Sequence, residues 1–77
     1  TSDERLDAFV ATFGLTERER DILEVLVVSD QSVQDIATTL FLSRSTLYRH
    51  ISSINKKAGT ASRVALINFF WSWTPKD

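Results

Sequence analysis

The sequence predicts an all-α domain of four helices with an extra short N-terminal helix ahead of them, and three observations predict it. Apolar residues recur at steps of three and four in five separate stretches. Those stretches are bounded by helix-cap residues, Thr16, Ser32, Ser43 and Ser62 in front and Gly14 and Gly59 behind. Finally, the third and fourth stretches are separated only by Phe41, Leu42 and Ser43, too short a piece to be a loop of its own. Two helices joined that tightly make a helix-turn-helix unit.

In chain order, Asp3 to Phe13 places Leu6, Phe9, Val10 and Phe13 on one face, with acids in the first turn, where the helix dipole favours them. Gly14 ends this helix. Thr16, Arg18 and Glu19 follow with capping-box spacing, the Thr16 hydroxyl taking an orphan N–H and Glu19 reaching back to the Thr16 N–H. The helix they start runs through Ile22, Leu23, Val25, Leu26, Val27 and Val28, apolar over more than half its girth, and is expected to be the central buried helix. After the polar break Ser29-Asp30-Gln31, Ser32 caps a third helix, with Asp35 as a weaker box partner, whose Val33, Ile36, Ala37 and Leu40 share a face. Leu42 is expected to tuck inward, with Ser43 capping the fourth helix. That helix runs to Ala58, with Lys56 and Lys57 at the negative end of its dipole and Gly59 as cap. Thr60 or Ser62 opens a last helix to about Trp73, before Pro75. It carries two apolar faces, Val64, Ile67 and Trp71 on one and Leu66, Phe69, Phe70 and Trp73 on the other, and a domain this small is expected to bury only one, with Trp71 in the core and Trp73 left exposed or partner-bound.

The fourth helix, Ser43 to Ala58, is the functional candidate. Leu47, Ile51, Ile54 and Ala58 form a narrow stripe that must be buried. At about 100° per residue, Ser45, Arg49, Ser52 and Lys56 then point away from it, with Tyr48 and Ser53 on the shoulders. Such a helix, about 20 Å long with a basic and hydroxyl-rich outer face, has the size and chemistry to lie in the major groove of double-stranded DNA.

The whole chain carries a net charge of −1, unusual for a nucleic-acid binder. The average hides a polarity. From Thr1 to Asp35 the net charge is −6, whereas Ser43 to Arg63 has no acid and a net charge of +5 from Arg44, Arg49, Lys56, Lys57 and Arg63. A localised basic patch follows. Cysteine is absent, so neither disulfide nor thiolate zinc site holds the fold, and the chain is compatible with a reducing cytosol. No run of about 18 apolar residues and no export signal occurs, which points to a cytoplasmic location, although a longer protein could carry a membrane-bound part upstream. Beginning at Thr1 without methionine, the chain is expected to be a piece of such a protein, residues 1–14 forming a helix or linker from an upstream domain and 15–74 the helix-turn-helix domain.

Taken together, Leu15-Thr16-x-Arg18-Glu19, Ile36-Ala37-x-x-Leu40-x-Leu42-Ser43-x-x-Thr46-Leu47, His50, Ile54, and Lys57-x-Gly59 with Arg63 resemble the LuxR/FixJ-type (GerE-like) C-terminal helix-turn-helix domain of bacterial transcription regulators, over Leu15 to Ala65. The resemblance implies a four-helix, winged-helix-like fold, no cofactor, and control by an upstream sensor or response-regulator receiver domain. It places base reading on Tyr48, Arg49 and Ser52, and phosphate contact on Ser45, Thr46 and Lys57. It also implies a homodimer through the last helix, giving the Leu66, Phe69, Phe70 and Trp73 face a purpose. The sequence departs from the family pattern at Tyr48, where lysine or arginine is usual, at Asp30 for glycine, at Val33 for asparagine and at Ala58 for leucine. Tyr48 leaves open which bases are read.

Arg44 and Lys56 join the phosphate-contacting candidates as part of the basic patch, and Arg63, with His50 and Lys57, lies beside or beyond the outward face, where phosphates rather than base edges are in reach. Ser43, Ser45 and Thr46 are first of all helix-start chemistry. The lone His50 has no metal-ligand spacing around it, and there is no nucleophile elbow, phosphate-cradling glycine loop or HExxH, so no catalytic or metal residue is expected and the protein is not read as an enzyme. The competing function is a helical protein-interaction module, dimerising or docking on RNA polymerase through the aromatic last helix without reading bases.

Overall fold

A computed structural model describes residues 2–75, so Thr1, the first residue of the expected linker segment, lies outside it. Five helices follow one another: α1 (Ser2–Phe13), α2 (Glu17–Val28), α3 (Val33–Thr39), α4 (Arg44–Ala58) and α5 (Arg63–Ser72). The all-α class and the helix-turn-helix of α3 and α4 are as the sequence predicts.

The capping chemistry sets the boundaries. Thr16 and Glu19 close the reciprocal box at the start of α2, the Glu19 N–H donating to Thr16 Oγ1 at 3.1 Å and the Thr16 N–H to Glu19 Oε1 at 2.8 Å. Ser32, Ser43 and Ser62 each accept the N–H three residues on. At Ser32 the box is half-formed, because Asp35 donates its N–H but its carboxylate does not return the bond. Gly14 and Gly59 adopt φ of 69° and 75° after α1 and α4, the left-handed geometry that lets an extra N–H fold back onto an open carbonyl.

The core joins all five helices: Leu6 and Phe9, then Ile22, Leu23 and Leu26, Ile36 and Ala37, Leu47, Ile51 and Ile54, and Leu66 and Phe70. α2 is central, packing on α1, α4 and α5. Its C-terminal end is less buried than its composition suggests: Val25 and Val27 are half-buried, and Val28 is 61% exposed.

The domain buries one face of α5, as expected, but not the face expected: the assignment of Leu66, Phe69, Phe70 and Trp73 to an open partner face is wrong, and it is Val64 and Trp71 that stay exposed. Leu66 and Phe70 are fully buried, while Phe69 and Trp73 pack against the core. The missing layer is α1. Phe9 meets Phe69, Phe70 and Trp73 with ring centroids 5.2 to 5.8 Å apart, and Phe13 meets Phe69 and Trp73 at 5.6 and 5.8 Å. These tilted and edge-on arrangements suit the ring quadrupoles. Arg5 locks the contact from α1, its guanidinium donating to the carbonyls of Phe70 and Trp73 and so satisfying open acceptors at the end of α5. The two tryptophans exchange the places expected for them, for Trp73 is half-buried and Trp71 is 44% exposed, its Nε1–H donating to Val27 O at 3.1 Å.

Candidate nucleic-acid interface

Helix α4 is held at three points. Its inner stripe of Leu47, Ile51 and Ile54 is buried, and at its start Leu42 seats against the core while its N–H reaches back to Ala37 O at 2.9 Å. The third point is polar. Glu19 of α2 is 4% exposed, yet every oxygen of its carboxylate is used: Oε1 accepts from the Thr16 N–H and from Lys57 Nζ at 2.7 Å, and Oε2 from Ser53 Oγ at 2.6 Å. Burial alone pushes this carboxyl's pKa up, but the hydrogen bonds from Lys57, Ser53 and the Thr16 backbone, with the Lys57 charge, outweigh it and bring it from 4.5 to about 2. The acid therefore stays charged and fixes the C-terminal half of α4 against α2.

With the inner side anchored, the outer side is presented to solvent. Arg44, Ser45, Tyr48, Arg49, Ser52 and Lys56 are all exposed. Among the described residues, no carboxylate pairs with Arg44, Arg49 or Lys56. The structure thus brings the sequence-derived base-reading trio Tyr48, Arg49 and Ser52 onto one open face with Ser45 and Lys56. Thr46 is half-buried, its Oγ1 accepting from Ser43 Oγ at 2.9 Å within the cluster of hydroxyls that caps the helix. Its N–H is already spent on Ser43 Oγ.

Two of the basic candidates stand apart. Lys57 is engaged by Glu19, which balances its charge within the fold. Arg63 is half-buried and donates from Nη2 to Gln31 O at 2.7 Å, tying the start of α5 to the loop before α3. His50 is half-buried, and among the described residues no group of three His, Cys, Asp or Glu side chains could hold a metal ion. No described helix is long and apolar enough to cross a membrane.

Sequence reasoning missed the inward role of Glu19. The capping box accounted for one of its oxygens, and no local pattern reveals a partner 38 residues away. A signal was available only in combination, since Ser53 and Lys57 lie four residues apart on one side of a helix, as two donors to one acceptor must.

Comparison with known proteins shows what the chain resembles. The profile of the family described as bacterial regulatory proteins, luxR family, matches residues 14–70, from the residue after α1 to the last turn of α5. Spore germination protein GerE of Bacillus subtilis is 43% identical over 49 residues, 64% of this chain and 65% of that protein. Proteins of Mycobacterium bovis and Mycobacterium tuberculosis named as HTH-type transcriptional regulators are each 43% identical over 55 residues, 71% of this chain but 6% of their own length. The chain therefore spans less than two thirds of each of these relatives. No solved structure matches it significantly. A profile match over well over half of the chain gives the conclusion that the chain belongs to the luxR family of bacterial regulatory proteins.

Proposed function

We propose that the domain regulates transcription by binding duplex DNA in a sequence-specific way, with α4 in the major groove. The observation that carries this reading is the row Ser45, Arg49, Ser52 and Lys56, exposed along one side of α4 with Arg44 and Tyr48 beside it and no described carboxylate to neutralise it. Arg49 stands centrally on that face, where a guanidinium forks onto guanine O6 and N7. Arg44 and Lys56 flank it toward phosphates, and Ser45 adds a hydroxyl at the helix start. Arg63 has donors left over after Gln31 and serves the backbone at the edge of the footprint. Lys57 acts through α4's position instead, because Glu19 holds its ammonium.

Binding as a homodimer on two half-sites about one helical turn apart fits a domain of this size. Its α5 contact then uses the outer face, where Val64 is 67% and Trp71 44% exposed beside Val28, rather than the aromatic side that α1 covers. An upstream sensor or receiver part controls this output in the longer protein, acting in the cytoplasm. A protein-docking role through Phe69, Phe70 and Trp73 has lost its surface to α1.

The deciding experiment titrates the 77-residue chain with random duplex DNA at two salt concentrations. Affinity falling steeply with salt is expected, and absent or salt-indifferent binding overturns the reading.

A further inference from the structure

Phe41 departs from the rest of the chain in two ways at once. It is 95% exposed, whereas the other four phenylalanines pack in or against the core. It is also the one non-glycine among the described residues with a positive φ, 58°. Each feature costs free energy, the first by leaving an aromatic ring in water and the second by crowding Cβ against the backbone.

The turn explains the backbone but not the side chain. For α3 to close and α4 to start at Ser43, the Phe41 N–H bonds Thr38 O at 3.2 Å and the Leu42 N–H bonds Ala37 O at 2.9 Å. This path needs a left-handed residue at position 41. Glycine or asparagine supplies that conformation with less strain, and neither puts a ring into solvent.

The ring's surroundings say what it meets. It stands two residues before the Ser43 cap, next to the first turn of α4, where Arg44, Ser45 and Tyr48 are exposed. Arg18 of α2 donates from Nη2 to the carbonyl of Leu40, the residue before Phe41, at 3.1 Å, holding a guanidinium at the turn. Neither Arg18 nor Arg44 is paired with a described carboxylate. An exposed apolar ring on a turn that also carries two arginines without a described carboxylate partner matches a nucleic-acid backbone, in which apolar sugar edges alternate with phosphates.

We infer that Phe41 is a further duplex-contacting residue, its ring lying on the deoxyribose backbone beside α4 while Arg18 and Arg44 take the neighbouring phosphates. This extends the footprint past the recognition helix onto the α3–α4 turn and the start of α2, and it rests on the duplex-binding reading above.

The test is Phe41→Gly in the full 77-residue chain, with Phe41→Tyr as the conservative partner. Glycine suits the backbone at this position, so the thermal midpoint should not fall. Duplex affinity should drop about tenfold at fixed salt, the scale for losing one buried apolar side chain. The slope of log affinity against log salt should stay as in the parent, because the ring displaces no counterion. Phe41→Tyr should bind as the parent does. If Phe41→Gly binds duplex as tightly as the parent, the ring serves a protein contact or none, and this inference falls while the α4 reading stands. If the parent itself binds no duplex, the α4 reading falls and takes this inference with it.

Discussion

Lys57, in the last turn of α4, lies 2.7 Å from Glu19, in the first turn of α2, and this pair sets how α4 is mounted. Glu19 is all but sealed from water, while about a third of the Lys57 side chain remains accessible. Water therefore screens the lysine end, and the structural weight falls on the acid. Replacing Glu19 by Gln keeps its shape but leaves Lys57 and Ser53 facing a neutral group. A loss of about 1 to 3 kcal/mol at neutral pH is expected, less than for a fully buried pair. Urea unfolding at pH 7 measures it, and a loss below about 0.5 kcal/mol contradicts the clasp.

The same pair dictates an acid response. The folded-state pKa of Glu19 is lowered to about 2 from 4.5, so the unfolded chain takes up the proton first as pH falls. The stability it contributes is complete above about 4.5 and is lost progressively toward 2, amounting to roughly 3 kcal/mol at most. Unfolding free energies at pH 5, 4 and 3 should decline in the parent and decline less in Glu19→Gln. Parallel curves would mean that Glu19 is not the titrating group.

Arg49 and Lys56 share one exposed face but are assigned different work, and this separates them experimentally. Arg49→Ala should lower the discrimination between a preferred site and random duplex by about 1 to 3 kcal/mol, because a forked base contact is lost. Lys56→Ala should weaken binding to every sequence alike and reduce the salt slope by about one. Titrations of both variants against specific and random duplexes decide it, and equal effects on both duplexes from Arg49→Ala would remove that arginine from base reading.

Helix positions, caps and the outward face of α4 were legible in the sequence because each depends on neighbours within about four residues. Thr16 to Glu19, the Leu47, Ile51 and Ile54 stripe, and Gly59 are all of that kind. What stayed hidden depends on contacts between remote parts of the chain. The apolar surplus on α5 was visible, but a sequence shows an unpaired face without showing its cover, and an intramolecular helix and a second subunit bury it equally well. Phe9 and Phe13 show in the sequence as one face of a short leading helix, whereas their partners on α5 and just after it lie some sixty residues away. Lys57 shows the same limit, since its place at a basic helix end suited a phosphate and only the fold brings Glu19 to it.

Because α1 supplies that cover, it should behave as part of the domain. Phe9 is fully buried among four aromatic neighbours, and Phe9→Ala should cost about 3 to 5 kcal/mol, a large share of the stability of so small a domain. Phe9→Leu, which retains most of the volume, should cost less than about 1.5 kcal/mol. Thermal or urea unfolding distinguishes them. If Phe9→Ala unfolds like the parent, α1 is an appendage and the aromatic side of α5 is free for a partner after all.

The outer side of α5 gives the complementary expectation. Val64 is 67% exposed, so Val64→Asp should leave the fold within about 0.5 kcal/mol of the parent. Placed at the centre of a two-fold contact, the same change sets one carboxylate against its symmetry mate in an apolar surround, a pairing that association does not tolerate. Sedimentation of the 77-residue chain on a DNA carrying two half-sites should then show two bound copies for the parent and loss of cooperative pairing for Val64→Asp, with binding to a single half-site unchanged. Cooperative pairing that survives Val64→Asp would place the dimer contact elsewhere, since the aromatic side of α5 is already filled by Leu6, Phe9 and Phe13 of α1.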